Sequence, residues 1–181
     1  MKKIILFFAL TVITAAGYAQ FSRATLQASG LTCAMCTKAI DNALKELSFV
    51  ESVKPDIKNS AFNIVFKKDV ETDPDKLKKA VEDAGFFIAG LKLTADFKNV
   101  AVANDSHINI GNGVYHFVSV GDQVLNGEKS ITIVDKYFLT SKAFKKYSTA
   151  TKMSCIQTGK AAECCSKDGI DSQARIYHVT I

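Results

Sequence analysis

Hydrophobic positions along the chain fall into two regimes. From Ala24 to Leu93 strand-like and helix-like spacings alternate, and after Lys98 short alternating runs dominate. Ala24, Leu26 and Ala28 alternate with polar residues, as one half-buried strand does. Ala39, Ile40, Ala43, Leu44 and Leu47 then form the stripe of a packed helix. Val50 to Ile57 reads as a strand whose Pro55 belongs near an edge or a turn. Lys58-Asn59-Ser60 turns the chain, and Phe62, Ile64 and Phe66 mark a third strand. Asp73 has the chemistry of an N-cap, with Pro74 in the first helical position. Leu77, Ala80, Val81 and Ala84 are the buried stripe of that helix, and Gly85 ends it. Phe87, Ala89, Leu91 and Leu93 alternate in a last strand. The order β-α-β-β-α-β is the ferredoxin-like arrangement, with both helices on one face of the sheet.

Beyond Lys98 the segments Val100 to Ala103, His107 to Ile110, Val114 to Val120 and Lys129 to Val134 read as short strands between Asn, Asp and Gly turns. Phe138 to Tyr147 fits one helix capped by Ser141, and Arg175 to Ile181 alternates as a closing strand. The expected fold class is α+β: a ferredoxin-like domain over 20–95, then a small β-rich domain over 98–181. For the second domain an OB-like barrel is expected, with a sandwich as the alternative. Ala95 to Asn99 is the expected linker.

The N-terminus changes the picture of location. Lys2 and Lys3 precede an apolar run from Ile4 to about Ala16, and small residues follow up to Ala19. This is the pattern of a cleaved export signal over 1–19, so the protein is expected to be periplasmic or secreted. The run is shorter than the roughly 18–20 apolar residues of a membrane span, so no stable anchor is expected after cleavage. Cleavage would remove two lysines from a formal charge of +5, leaving too little excess for nucleic acid to be a partner. Five cysteines are an odd number in a compartment where disulfides form, so at least one thiol has another use.

Two of these cysteines, Cys33 and Cys36, stand three apart where a loop runs into the first helix. Two thiolates suffice for Cu(I), whereas Zn(II) needs further ligands that the loop does not offer. A structural disulfide or a redox pair remains open for the same spacing. The loop reads Gly30-Leu31-Thr32-Cys33-Ala34-Met35-Cys36, and the second helix ends Lys79-Ala80-Val81-Glu82-Asp83-Ala84-Gly85-Phe86. Together these resemble the heavy-metal-associated domain family, which includes copper chaperones and the periplasmic mercury-binding protein. The family signature is G-M-T-C-x-x-C, and its second helix closes on a glycine and an aromatic that covers the loop. This chain departs at Leu31, where the family has methionine packed beneath the loop, and Leu for Met nearly conserves volume. The resemblance implies metal binding at Cys33 and Cys36 and gives Phe86 the covering role. Between the two cysteines, Met35 is expected to face solvent.

A second thiol group comprises Met153, Cys155, Cys164 and Cys165. The expectation is a disulfide from Cys155 to Cys164 or Cys165, with a second soft-metal site as the alternative. His107, His116 and His178 lie on expected strands and are read as packed or surface histidines. No Ser-His-Asp arrangement, phosphate loop or carboxylate pair stands out. The whole reads as a metal-binding protein and not an enzyme. Its expected work is to capture Cu(I), with Hg(II), Zn(II) or Cd(II) as alternatives, and pass it to a metal-transporting or metal-accepting protein. Two other readings stay open: a thiol-disulfide oxidoreductase, and a metal-responsive adaptor for a membrane transporter.

Overall fold

The computed structural model describes residues 19–31 and 34–181. The expected export signal therefore lies outside the described residues except for Ala19, and so do Thr32 and Cys33. The first half follows the hydrophobic pattern closely. Strand β1 (Phe21–Ser29) leads to helix α1 (Ala34–Lys45), which buries Ile40 and Leu44. Strand β2 (Val50–Asp56), a 3-10 turn (Ile57–Asn59) and strand β3 (Ala61–Phe66) follow. Helix α2 (Pro74–Asp83) starts as expected: the Asp73 carboxylate accepts from the Asp75 and Lys76 amides at 2.9 and 3.2 Å. Gly85 adopts φ +88° just past its end, a conformation that other residues adopt only with strain.

Strand β4 (Phe87–Val102) is sixteen residues long and does not stop where the first half was expected to end. It pairs with β1 over its first part and with β7 (Gln123–Ile133) along most of its length. The other strands are β5 (His107–Ile110), β6 (Gly113–Phe117) and β8 (Ile176–Thr180). All eight join one sheet in the order β2-β3-β1-β4-β7-β8-β6-β5. Pro55 lies in the edge strand β2, where a missing ladder donor costs least.

Three expectations need correction. Ala95 to Asn99 is not a linker but part of β4, and the division expected at 95–98 falls inside a continuous strand. The irregularity that made it look like a break is a bulge between Phe97 and Val100, where Asn99 takes φ +54°. The second half forms neither an OB-like barrel nor a sandwich: its strands extend the first sheet, and among the described residues no ladder returns β5 to β4. Finally, Phe87 is exposed and Ile88 buried, the reverse of the expected alternation. Between Gln27 and Ala28 the partner on β4 jumps from Gly90 to Ile88, and the extra residue inverts the parity of the strand.

The core follows the sheet across the supposed boundary. Leu26, Ile64 and Leu91 belong to the same apolar cluster as Phe97, Tyr115, Ile131 and Val179. Helix α3 (Ser141–Ser148) and two short helices, α4 (Cys155–Thr158) and α5 (Glu163–Ser166), complete the second half. Thr140, not Ser141, caps α3, accepting from the Ala143 amide at 3.3 Å. Because the main core spans both halves, the folded protein is expected to unfold in urea through a single transition when far-UV circular dichroism and tyrosine fluorescence are compared. Two separated transitions would contradict that continuity.

Candidate metal centres

Gly30 and Leu31, which lead from β1 toward α1, are held in place. Gly30 takes φ +85°, and a Cβ built there would lie 3.8 Å from Cδ1 of the Phe86 ring. The aromatic after Gly85 thus lies against the loop, and Leu31 packs on the core below it. Cys36 is the third residue of α1 and is half-buried, while Met35, between the two cysteines, is 78% exposed, as expected. Ile57 and Phe87 are also exposed and belong to the same end of the sheet. Ser29 pairs with Phe87, and the Ala28 amide donates to the Ser60 carbonyl at 3.1 Å. A cleft of about 270 Å³ runs between Leu31, Ala34 and Thr37 on one side and Ile57 and Ser60 on the other. The described residues around the motif therefore include an exposed apolar rim of Met35, Ile57 and Phe87.

A second concentration of donors lies on β5, β6 and β8. His107 pairs with His116, and His116 with His178, so three neighbouring strands carry a row of histidines. Strand alternation places Tyr115 and Tyr177 on the opposite face, where their rings stack in the main core at 5.3 Å. Each histidine has one ring nitrogen against a carboxylate. His107 Nδ1 is 2.7 Å from Asp168, His116 Nε2 is 3.1 Å from Asp105, and His178 Nδ1 is 2.6 Å from Asp135. Cys155, fully buried in α4, faces this row: its Sγ is 3.3 Å from His178 Nε2 and 3.7 Å from His116 Nδ1. Cys164 and Cys165 follow each other in α5 with sulfurs 3.7 Å apart, and both lie within 4.8 Å of the Cys155 sulfur.

The structure does not form the expected staple. All three cysteines are thiols in the structure, and Cys155 is turned toward the histidines. Burial, reinforced by the neighbouring sulfurs, pushes the Cys155 thiol far up. Burial also acts on Cys164, but hydrogen bonds from the Cys155 backbone, the Ser154 hydroxyl and Cys165 outweigh it and bring that thiol down to about 7. Burial drives His116 down to about 4, with His178 and His107 adding to the effect and Asp105 opposing it. Among these three thiols, metal-free, reduced protein should therefore alkylate first at Cys164, with a rate that is half-maximal near pH 7. A midpoint near 9, or faster reaction at Cys155, would contradict this ordering. Met153 packs among the apolar residues around the cluster with Ile170 and Ala174.

The comparisons bear on the first half. The family model for the heavy-metal-associated domain matches residues 25–87. The mercuric transport protein periplasmic component of Salmonella typhi is 33% identical over 86 residues, which cover 48% of this chain and 93% of that protein. The chain belongs to the heavy-metal-associated domain family. The corresponding protein of Pseudomonas fluorescens is 31% identical over the same share of both chains. Among solved structures, a CopZ metallochaperone aligns over 38% of this chain and all of its own, at 25% identity and a TM-score of 0.35.

Within the heavy-metal-associated half, Leu31, Met35, Cys36 and Phe86 stand where the sequence puts them, and Cys33 lies outside the described residues. Sequence reasoning missed the convergence of His107, His116 and His178 on Cys155. A signal was present: Val114-Tyr115-His116-Phe117 and Ile176-Tyr177-His178-Val179 are near-repeats that pair in register. Asp105, Asp135 and Asp168, which back the three rings, had no signal at all, because they come from three separate connections.

Proposed function

We propose that the protein captures a soft metal ion, Cu(I) in first place, between the thiolates of Cys33 and Cys36 and hands it to an accepting protein outside the cytoplasm. The supporting observation is the setting of the C-x-x-C: Cys36 stands in the first turn of α1, Gly30 ahead of the motif lies against Phe86, and Met35, Ile57 and Phe87 are exposed at that end of the sheet. Two sulfurs satisfy the low coordination number of Cu(I) and leave room for an incoming third ligand. A partner thiolate adds to the ion, a three-coordinate intermediate forms, and Cys33 or Cys36 leaves. The metal keeps its oxidation state throughout, and no bond of a substrate is broken. The protein acts on this reading as a binding protein and not as an enzyme.

The apolar rim suits this traffic, because a docked partner would exclude water while the ligands exchange. Hg(II) is the second candidate, favoured by the mercuric transport relatives and equally at ease with two thiolates. Export and a periplasmic setting are supported by the same relatives and by the N-terminal pattern. The test offers reduced protein Cu(I), Hg(II) and Zn(II) in competition and follows passage of the ion to a dithiol acceptor. The thiophilic ions should occupy the loop in preference to Zn(II) and move within seconds, with negligible reduction of insulin disulfides. Insulin turnover comparable with that of a thioredoxin would favour the oxidoreductase reading instead.

A further inference from the structure

We propose that Cys155, His107 and His116, with His178 against the same sulfur, form a second metal site, separate from the loop thiols and built to hold one ion of the Zn(II)–Cu(I) class. Four observations carry it. The first is convergence. With Asp168, Asp105 and Asp135 occupying one nitrogen of each ring, the nitrogens left over are His107 Nε2, His116 Nδ1 and His178 Nε2. Two of them lie 3.7 and 3.3 Å from Cys155 Sγ, and donor atoms of His107, His116 and Cys155 all fall within 4.8 Å of one another.

The second is spacing. A tetrahedral ion with bonds of ~2.3 Å to sulfur and ~2.0 Å to nitrogen holds those atoms about 3.5 Å apart. The His116–Cys155 separation of 3.7 Å is close to that value, and His178 lies 3.3 Å from the same sulfur. Third, an imidazole that binds metal characteristically gives its other nitrogen to a carboxylate or carbonyl, which fixes the ring and its tautomer. All three histidines do so here, through aspartates from three different connections. Fourth, His107 Nε2 has no hydrogen-bond partner although its side chain is only 2% exposed. A buried polar atom left unsatisfied costs on the order of 1–3 kcal/mol, and ligation would remove that cost.

The donor set selects the ion. Imidazole suits zinc, copper, iron and nickel, thiolate favours zinc and Cu(I), and the two preferences overlap in zinc and copper. Cys164 and Cys165, close to Cys155, extend the thiolate supply on one side. On binding, Cys155 gives its proton to solvent and the imidazoles coordinate as neutral ligands, so no redox partner is needed. Cys155, His116 and His178 are fully buried, which suits retention rather than rapid exchange. The same burial argues against a Cys155–His178–Asp135 nucleophile, since no substrate reaches the sulfur.

The test uses the full chain carrying Cys33→Ser/Cys36→Ser, so its result is independent of the loop. The protein is reduced, stripped with chelator and offered Zn(II) alone or Cu(I) alone without oxygen. One equivalent of at least one of these ions should bind and raise the melting temperature. Co(II) in its place should give a thiolate-to-metal charge-transfer band, which Cys155→Ser abolishes. Because Cys155→Ser could disturb a buried site, Asp168→Asn serves as the surface variant: it should stay folded and lose about 10–100-fold in affinity. No stoichiometric binding of either ion would overturn the proposal, as would affinity unchanged in both variants. So would a Cys155 disulfide to Cys164 or Cys165 in protein isolated without reductant.

Discussion

Replacing Arg175 by alanine is expected to lower stability by about 2–3 kcal/mol, because one guanidinium ties the two halves together. Its Nε donates to Asp75 on α2 at 2.8 Å, and one Nη donates to Asp135 after β7 at 2.7 Å. The other Nη reaches the Gly159 carbonyl at the end of α4, and the group lies 4.2 Å from the centre of the Tyr177 ring. Burial opposes the charge, but Asp75 and Asp135 outweigh it and hold the guanidinium protonated. Asp135 is the exposed flank of nothing: only 6% of its side chain meets solvent, and its other oxygen accepts from His178. Removing the arginine leaves that carboxylate buried without its cation. The figure stands below the roughly 3–5 kcal/mol of a fully buried broken pair because the Arg175 side chain is itself 32% exposed. A fall in melting temperature of about 5–10 °C should follow for a chain of this size. Arg175→Lys should recover less than half, since an ammonium cannot face two carboxylates as a fork. A change below about 0.5 kcal/mol would show that the contact between α2 and the second half does not depend on this residue.

The second large effect concerns Cys36. Replacing it with serine should weaken the loop's hold on Cu(I) by more than about 100-fold, beyond the 10–100-fold cost of disturbing a residue that merely orients a ligand. A hydroxyl is a hard, neutral donor and does not replace a thiolate for a soft ion. The fold should survive, because Cys36 is only half-buried while Ile40 and Leu44 anchor α1 in the core. Competition with a chromophoric Cu(I) chelator reads the loss directly. Undiminished affinity in a folded Cys36→Ser protein would remove Cys36 from the site.

The sequence made the first half legible because each element there carries its own local signal. Asp73 and Pro74 start α2, Gly85 ends it, and Pro55 marks an edge strand. What escaped was longer in range. Nothing local distinguishes a strand that ends at Leu93 from one that runs to Val102, since the pairing partner of the extension, β7, lies some thirty residues away. Ala95 and Phe97 nevertheless keep the period-2 burial that a linker would not need. The second donor cluster was half-visible. Cys155, Cys164 and Cys165 drew attention by proximity in sequence, whereas His107, His116 and His178 join them only through the parallel pairing of β6 with β8. That pairing crosses a long connection, and no periodicity reports it.

The most direct test of soft-metal capture at the loop is the copper X-ray absorption spectrum of reduced protein loaded with one equivalent of Cu(I). A Cys155→Ser/Cys164→Ser/Cys165→Ser background removes the thiolates of the second half. The expected spectrum is that of a site with two sulfur donors and no imidazole, lost when Cys33 and Cys36 are also replaced by serine. A spectrum dominated by nitrogen or oxygen donors, or one unchanged by that further replacement, would contradict it.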